Sequence, residues 1–259
     1  MLLAIDVGNT HTVLGLFEGD DLVEHWRIGT EASRTADEIA VVLKGLLDQH
    51  PAPGGADIDA IAICSTVPSV LQEMRALCRR YYGDVPAVVV EPGVKTGVPV
   101  LTDNPKEVGT DRVVNALAAV ELFGGPCVVV DFGTALTYDC VGAGGDYIGG
   151  IIAPGVEISM EALTTRAAAI PKIDLAAPRA LIGKSTLEAI RSGVIYGFAA
   201  SVDGMIARLR DELGEETAAI ATGGLASAIV PFCAAIDDVD PLLTLTGLRI
   251  IWERNRAPA

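Results

Sequence analysis

Asp6-Val7-Gly8-Asn9-Thr10 and Asp131-Phe132-Gly133-Thr134 decide how this chain folds. Each follows a short apolar run, and each is followed by two further strand-like runs separated by a polar turn. In the first copy the pattern predicts a strand from Leu2 to Ile5, a turn from Asp6 to His11, a strand from Thr12 to Phe17, a turn from Glu18 to Asp21 and a strand from Leu22 to Ile28. In the second it predicts a strand from Cys127 to Val130, a turn from Asp131 to Ala135, a strand from Leu136 to Val141, a turn from Gly142 to Asp146 and a strand from Tyr147 to Ile152. A meander that recurs with its aspartate and glycine in the same places reads as an internal duplication.

Helical spacing follows each meander. Thr35 and Glu38 stand like an N-cap and its reciprocal partner, which predicts a helix from about Thr35 to His50. Ile58 to Cys64 reads as a buried strand, Ser69 with Gln72 repeats the capping pattern ahead of Val70, Met74, Leu77 and Tyr81, and Ala87 to Val90 is another strand. The first half is therefore β-β-β-α-β-α-β, with parallel strands where helices connect them. A helix from Asp111 to Phe123 ends at Gly124-Gly125-Pro126, the strongest stop between the repeats. Further helices are expected from Gly155, from Ser185, after Gly224 and over Leu248 to Asn255, with a strand at Ala218 to Ala221. Two similar α/β domains, residues 1–115 and 116–259, account for this order.

The composition narrows the classes of function. A chain of 259 residues with 50% hydrophobic side chains can bury a sizeable core. Its formal charge of −15 repels phosphate backbones and anionic lipid, so no nucleic-acid partner is expected. No run approaches the roughly 20 apolar residues that span a bilayer, so no membrane is expected either. Met1 to Asp6 offers no basic n-region or small-residue cleavage site, and the expectation is a cytoplasmic protein. The five cysteines lack CxxC spacing and mostly lie in apolar runs, where they read as small buried hydrophobes.

The turns carry the chemistry. Glycine lets backbone approach a phosphate closely, threonine and amide N–H groups donate to its oxygens, and the aspartate can sit beside a hydrated cation. One Asp-x-Gly-x-Thr is a weak signal, whereas two at matching places in a duplicated meander resemble the nucleotide site of actin, hexokinase and the 70-kDa heat-shock proteins. Asn104-Pro105-Lys106-Glu107-Val108-Gly109-Thr110-Asp111-Arg112 lies between them and opens a helix. Asp111 there reads either as an N-cap or as a carboxylate that accepts a hydroxyl proton while Arg112 stabilises transferred charge.

These motifs, with Gly149-Gly150-Ile151-Ile152-Ala153-Pro154-Gly155, Gly183-Lys184-Ser185-Thr186 and Ala221-Thr222-Gly223-Gly224, closely resemble type III pantothenate kinase along the whole chain. The resemblance implies two tandem actin-like (ribonuclease H-like) domains with an interdomain nucleotide cleft. It further implies ATP-dependent phosphorylation of pantothenate, the first step of coenzyme A biosynthesis, by a homodimer. Carried over by position, Asp6, Val7, Gly8, Asn9, Thr10, His11, Thr12 and Val13 form the first ATP-phosphate loop, and Gly133 and Thr134 the second. Gly109, Thr110, Asp111, Arg112 and Thr186 contact pantothenate, with Asp111 the general base. Asp131 matches a monovalent-cation ligand for K+ or NH4+, and Asp6 the carboxylate beside the Mg2+ that accompanies ATP. Thr102 stands where many members have a substrate-contacting tyrosine, and Thr110 where alanine is frequent.

Two other readings keep the fold. A kinase for another small hydroxyl compound would need different residues at Gly109 to Arg112 and at Thr186. A non-catalytic transcriptional accessory factor would be expected to have lost part of the Asp6, Asp111, Asp131 set, and all three carboxylates are present.

Overall fold

Alternation and helical spacing become ten strands and seven α-helices in the computed structural model, which describes residues 1–50, 57–166 and 173–256. Contacts group the chain into two units, one of Met1–Gly97, Asn104–Ala118 and Thr244–Ala259, the other of Val98–Asp103 and Ala119–Leu243.

In the first unit β1 (Leu2–Val7), β2 (His11–Glu18) and β3 (Asp21–Gly29) form the antiparallel meander, and β4 (Ala60–Ser65) and β5 (Ala87–Val89) add in parallel. The order is β3-β2-β1-β4-β5. β1 runs two residues beyond the predicted end because Asp6 and Val7 still pair with Val13 and Thr12 on one side and with Cys64 and Ser65 on the other. Leu3, Ile5, Val7, Ile61 and Ile63 face a core closed by Ile39, Leu43 and Leu47 of α1 (Ala36–Leu47) and Val70, Met74 and Leu77 of α2 (Pro68–Tyr81). Truncating one of these leucines to alanine costs about 2 to 5 kcal/mol. Thr35 caps α1 as expected, with the reciprocal bond from Thr35 N to Glu38 Oε2 at 2.8 Å. Ser69 does not cap α2. Proline's fixed φ lets Pro68 occupy the first helical position, so the helix begins before Ser69, with Val67 at the cap.

The second unit repeats the design. β6 (Cys127–Phe132), β7 (Ala135–Val141) and β8 (Tyr147–Pro154) form the meander, and β9 (Ala218–Thr222) and the short β10 (Asp238–Val239) add in parallel. The order β8-β7-β6-β9-β10 matches that of the first sheet strand for strand. α3 (Thr110–Phe123) ends at Gly124, whose φ of 79° is the left-handed stop predicted from sequence. α4 (Val156–Arg166) follows β8, α5 (Thr186–Leu213) runs to β9, and the single turn α6 (Ala226–Ile229) follows it. Ser192, Ile195, Ala199, Val202, Ile206 and Leu209 are the buried stripe of α5, and the apolar members from Ile195 onward pack on Val128, Val130, Phe132 and Tyr138.

α7 (Leu243–Asn255) starts five residues before the predicted Leu248. Asp240 accepts from Leu242 N at 2.9 Å, and Pro241 follows it, a start signal that the apolar spacing alone does not register. α7 belongs to the first unit, where an added Cβ on Gly15 would fall 2.7 Å from Leu245 Cδ1. Val114 O of α3 lies 2.4 Å from where a Cβ on Gly247 would sit, so the two helices touch through glycine.

Candidate active site

The first turn begins where β1 ends. Asp6 is half-buried, and Cys64 Sγ donates to its Oδ1 at 3.1 Å. Burial pushes the Asp6 carboxyl up to about 7, the thiol hydrogen bond draws it down, and the charge of Asp111 pushes it further up. Gly8 N donates to His11 O at 3.0 Å and closes the turn, leaving Asn9 and Thr10 exposed at its tip. Val7 and Thr12 point inward. Val7 lies in the core, and the Thr12 hydroxyl pairs with that of Thr30 at 2.8 Å, so either residue offers a ligand only its backbone. Arg27 of β3 donates to His11 Nδ1 at 2.8 Å, and because guanidinium has no acceptor, the ring carries its proton on Nε2. Val13, half-buried on β2, pairs with both Asp6 and Arg27.

The start of α3 lies in the same unit. Val113 N donates to Gly109 O at 3.3 Å, so the helix is already under way at Thr110, and Asp111 sits inside its first turn instead of at the cap. Its Oδ1 accepts from Arg112 N at 2.9 Å. A Cβ on Gly109 would come within 2.5 Å of that same Oδ1, so glycine is what allows the carboxylate to fold back over the loop. Burial raises the Asp111 pKa, while the Arg112 N–H and guanidinium charge lower it. Thr110 Oγ1 donates to Ser65 O at 3.3 Å, which ties the helix start to the end of β4.

In the second unit Asp131 pairs along the ladder with Thr137 and Thr222, and Gly133 N donates to Ala135 O at 3.1 Å. Thr134 stands exposed at the tip. Backbone presses on this turn from two sides. A Cβ on Gly155 would lie 2.2 Å from Thr134 O, and one on Gly223, whose φ is +92°, would lie 2.3 Å from Asp131 Oδ1. Neither glycine figured among the expected site residues. Their signal was a glycine directly after a strand-ending residue, Pro154 in one case and Thr222 in the other. Cys64, read as a buried hydrophobe, is buried but is also the donor to Asp6.

Thr186 is the exposed first residue of α5, beside the cap Ser185, whose Oγ accepts from Glu188 N at 3.3 Å. Glu188 does not complete a reciprocal box. Its carboxylate instead accepts from Arg179 N at 3.1 Å and pairs with Arg191 at 3.5 Å. Thr102 Oγ1 is buried with no hydrogen-bond partner. Among the described residues no group of three or more His, Cys, Asp or Glu is placed to hold a metal. An ion at either turn would thus take most of its ligands from phosphate, backbone or water oxygens.

Comparison with known proteins identifies the family and the fold. The sequence profile of a family described as type III pantothenate kinase matches residues 2–208. A protein named type III pantothenate kinase from Streptomyces avermitilis is 63% identical over 261 residues, covering 98% of each chain. Among solved structures, one described as a Baf family transcriptional activator from Campylobacter jejuni superposes with a TM-score of 0.59 at 18% identity over 98% of each chain. A ROK hexokinase from Thermus thermophilus gives 0.50 at 14% identity over 96% of this chain and 97% of its own. At such identities the two structures speak to the fold alone.

Proposed function

The chain belongs to the type III pantothenate kinases, and from that premise we propose that the Asp6 and Asp131 turns hold the phosphates of ATP while Asp111 accepts the proton of the pantothenate hydroxyl. The reaction is ATP-dependent phosphorylation of pantothenate, the first step of coenzyme A biosynthesis. The observation that supports the assignment of residues is the tie of Thr110 Oγ1 to Ser65 O at 3.3 Å, at the end of the strand whose Cys64 and Ser65 pair with Asp6 and Val7. A base on α3 is thereby set beside the end of the strand that opens the first phosphate turn.

Gly8, Asn9, Thr10 and His11 receive the phosphates at the first turn, where Arg27 fixes the His11 ring through its Nδ1. Gly133 and Thr134 do the same at the second turn, where Gly155 and Gly223 keep the backbone approach open. Asp6 fits a divalent cation because it is a desolvated carboxylate with a thiol as its donor, and Mg2+ bound with ATP would neutralise phosphate charge there. Asp131, whose Oδ1 lies against Gly133 and Gly223, is the carboxylate for K+ or NH4+. Asp111 orients the hydroxyl and takes its proton, Arg112 stabilises charge on the transferred group, and Gly109, Thr110 and Thr186 contact pantothenate.

The reading includes a homodimer in the cytoplasm. Ile152, Leu181 and Ile182 of the second unit are 66%, 67% and 81% exposed, apolar surface that a second copy would cover. Among the described residues no helix is long and apolar enough to cross a membrane.

A coupled assay of ADP release tests the function. Turnover should require pantothenate, fail with other small hydroxyl compounds, and rise when potassium replaces sodium. Equal turnover with an unrelated alcohol would remove the substrate assignment, and indifference to potassium would remove the role of Asp131.

A further inference from the structure

Asp6 and Cys64 are register partners across the parallel pair β1/β4. Leu3, Ile5 and Val7 of β1 and Ile61 and Ile63 of β4 face the core under α1 and α2, so Asp6 and Cys64 leave the opposite face of the sheet together. Cys64 is fully buried, and its Sγ donates to Asp6 Oδ1 at 3.1 Å. The two residues that follow bind the same neighbourhood. Thr66 donates to Val7 O through its N–H at 3.0 Å and through Oγ1 at 3.3 Å, and Ser65 O accepts from Thr110 Oγ1 at 3.3 Å. One short segment at the end of β4 thus touches both the first phosphate turn and the helix that carries Asp111.

We propose that Cys64 is a positioning residue for Asp6: its thiol engages Oδ1 and so presents Oδ2 to the phosphate-bound cation, while Ser65 and Thr66 fix the turn and the start of α3 on either side. The inference rests on the reading of Asp6 as the cation-side carboxylate.

Chemistry favours a thiol in this place. Lysine or arginine would neutralise the carboxylate with a full charge, and an aliphatic side chain would leave Oδ1 without a donor. A thiol orients the carboxylate yet leaves its charge for a cation. Burial and the neighbouring Asp6 charge push the Cys64 pKa well up, so the sulfur keeps the proton it donates.

The test is titration calorimetry of a non-hydrolysable ATP analogue, adenylyl imidodiphosphate, with Mg2+ and in chelator. Four variants are compared with the wild type: Cys64→Ala, Cys64→Ser, Asp6→Asn and Cys127→Ala, the last removing an equally buried thiol at the start of β6. Cys64→Ala should lose about tenfold in affinity with Mg2+ and little in chelator, the size of one lost hydrogen bond to a charged group. Cys64→Ser should recover most of the loss because its hydroxyl also donates. Cys127→Ala should bind as the wild type does, even if its Tm falls as far as that of Cys64→Ala. Wild-type Mg2+-dependent affinity in Cys64→Ala, or an equal loss in Cys64→Ser, would overturn the positioning role. Should Asp6→Asn keep the full Mg2+ effect, the reading of Asp6 itself fails and takes this inference with it. A loss in Asp6→Asn without one in Cys64→Ala removes only the inference.

Discussion

Asp111 accepts a hydrogen bond from Arg112 N that an asparagine Oδ1 can accept equally well, so substitution there separates the proton-accepting role from any structural one. Asp111→Asn should lower kcat by roughly 10²- to 10⁴-fold, about 3 to 5 kcal/mol of transition-state stabilisation, with nucleotide affinity within a few-fold of wild type. Its Tm should stay level or rise, since a carboxylate whose charge is disfavoured by burial has been replaced by a neutral amide. A folded variant retaining a tenth of wild-type kcat would strike Asp111 from the mechanism. Asp6 makes the opposition between function and stability sharper. Its pKa moves from 3.8 to about 7, so the folded state holds the proton more tightly than the unfolded chain does. Its favourable contribution is complete below about pH 4 and is lost as pH rises through about 7. In chelator, with no nucleotide, Asp6→Asn should therefore be more stable than wild type by about 1 to 3 kcal/mol at pH 8. The gap should narrow toward pH 5, and a variant less stable than wild type at pH 8 would contradict it.

Helix starts show how a local pattern can be right about an element and wrong about its mechanism. Thr35 and Ser69 both precede a residue three positions on that suits a capping box, yet only Thr35 caps, because Pro68 takes the first position of α2 and leaves Ser69 within the first turn. Thr35→Ala should cost about 1 kcal/mol in urea unfolding, whereas Ser69→Ala should stay within a few tenths. Equal costs would mean that the assigned cap of α2 is wrong. The long α5 makes a related point. Its buried residues recur every three or four positions from Ser192 to Leu209, which fixes the face turned to the sheet without any contribution from the cap.

For the molecule as a whole, the exposed apolar side chains of the second unit make the proposed dimer testable. Light scattering on active enzyme should return twice the 26.9 kDa of one chain. Replacing Ile182, the most exposed of them, with aspartate should shift the population toward monomer and reduce activity, because a buried unpaired carboxylate costs several kcal/mol at an interface. A monomer of full activity would refute the assembly.

The duplicated meander, the two aspartate turns and the order of strands and helices, the two-residue β10 apart, follow from the sequence by itself. Alternation, turn chemistry and helical spacing are local, and two copies of one pattern support each other. Thr35 and Gly124 were legible for the same reason, since a cap or a left-handed stop is written within a few residues. Tertiary structure alone decided the rest. Cys64 reads as one more small apolar residue until the β1/β4 register brings its thiol to Asp6. Gly155 and Gly223 look like loop glycines until chain distant in sequence folds their Cα atoms against the Asp131 turn. No local spacing tells α7 that it belongs with the first unit, because its partners Gly15 and Val114 lie more than a hundred residues away. Contacts between residues far apart in sequence leave no periodicity to read, and it is such contacts that shape the site.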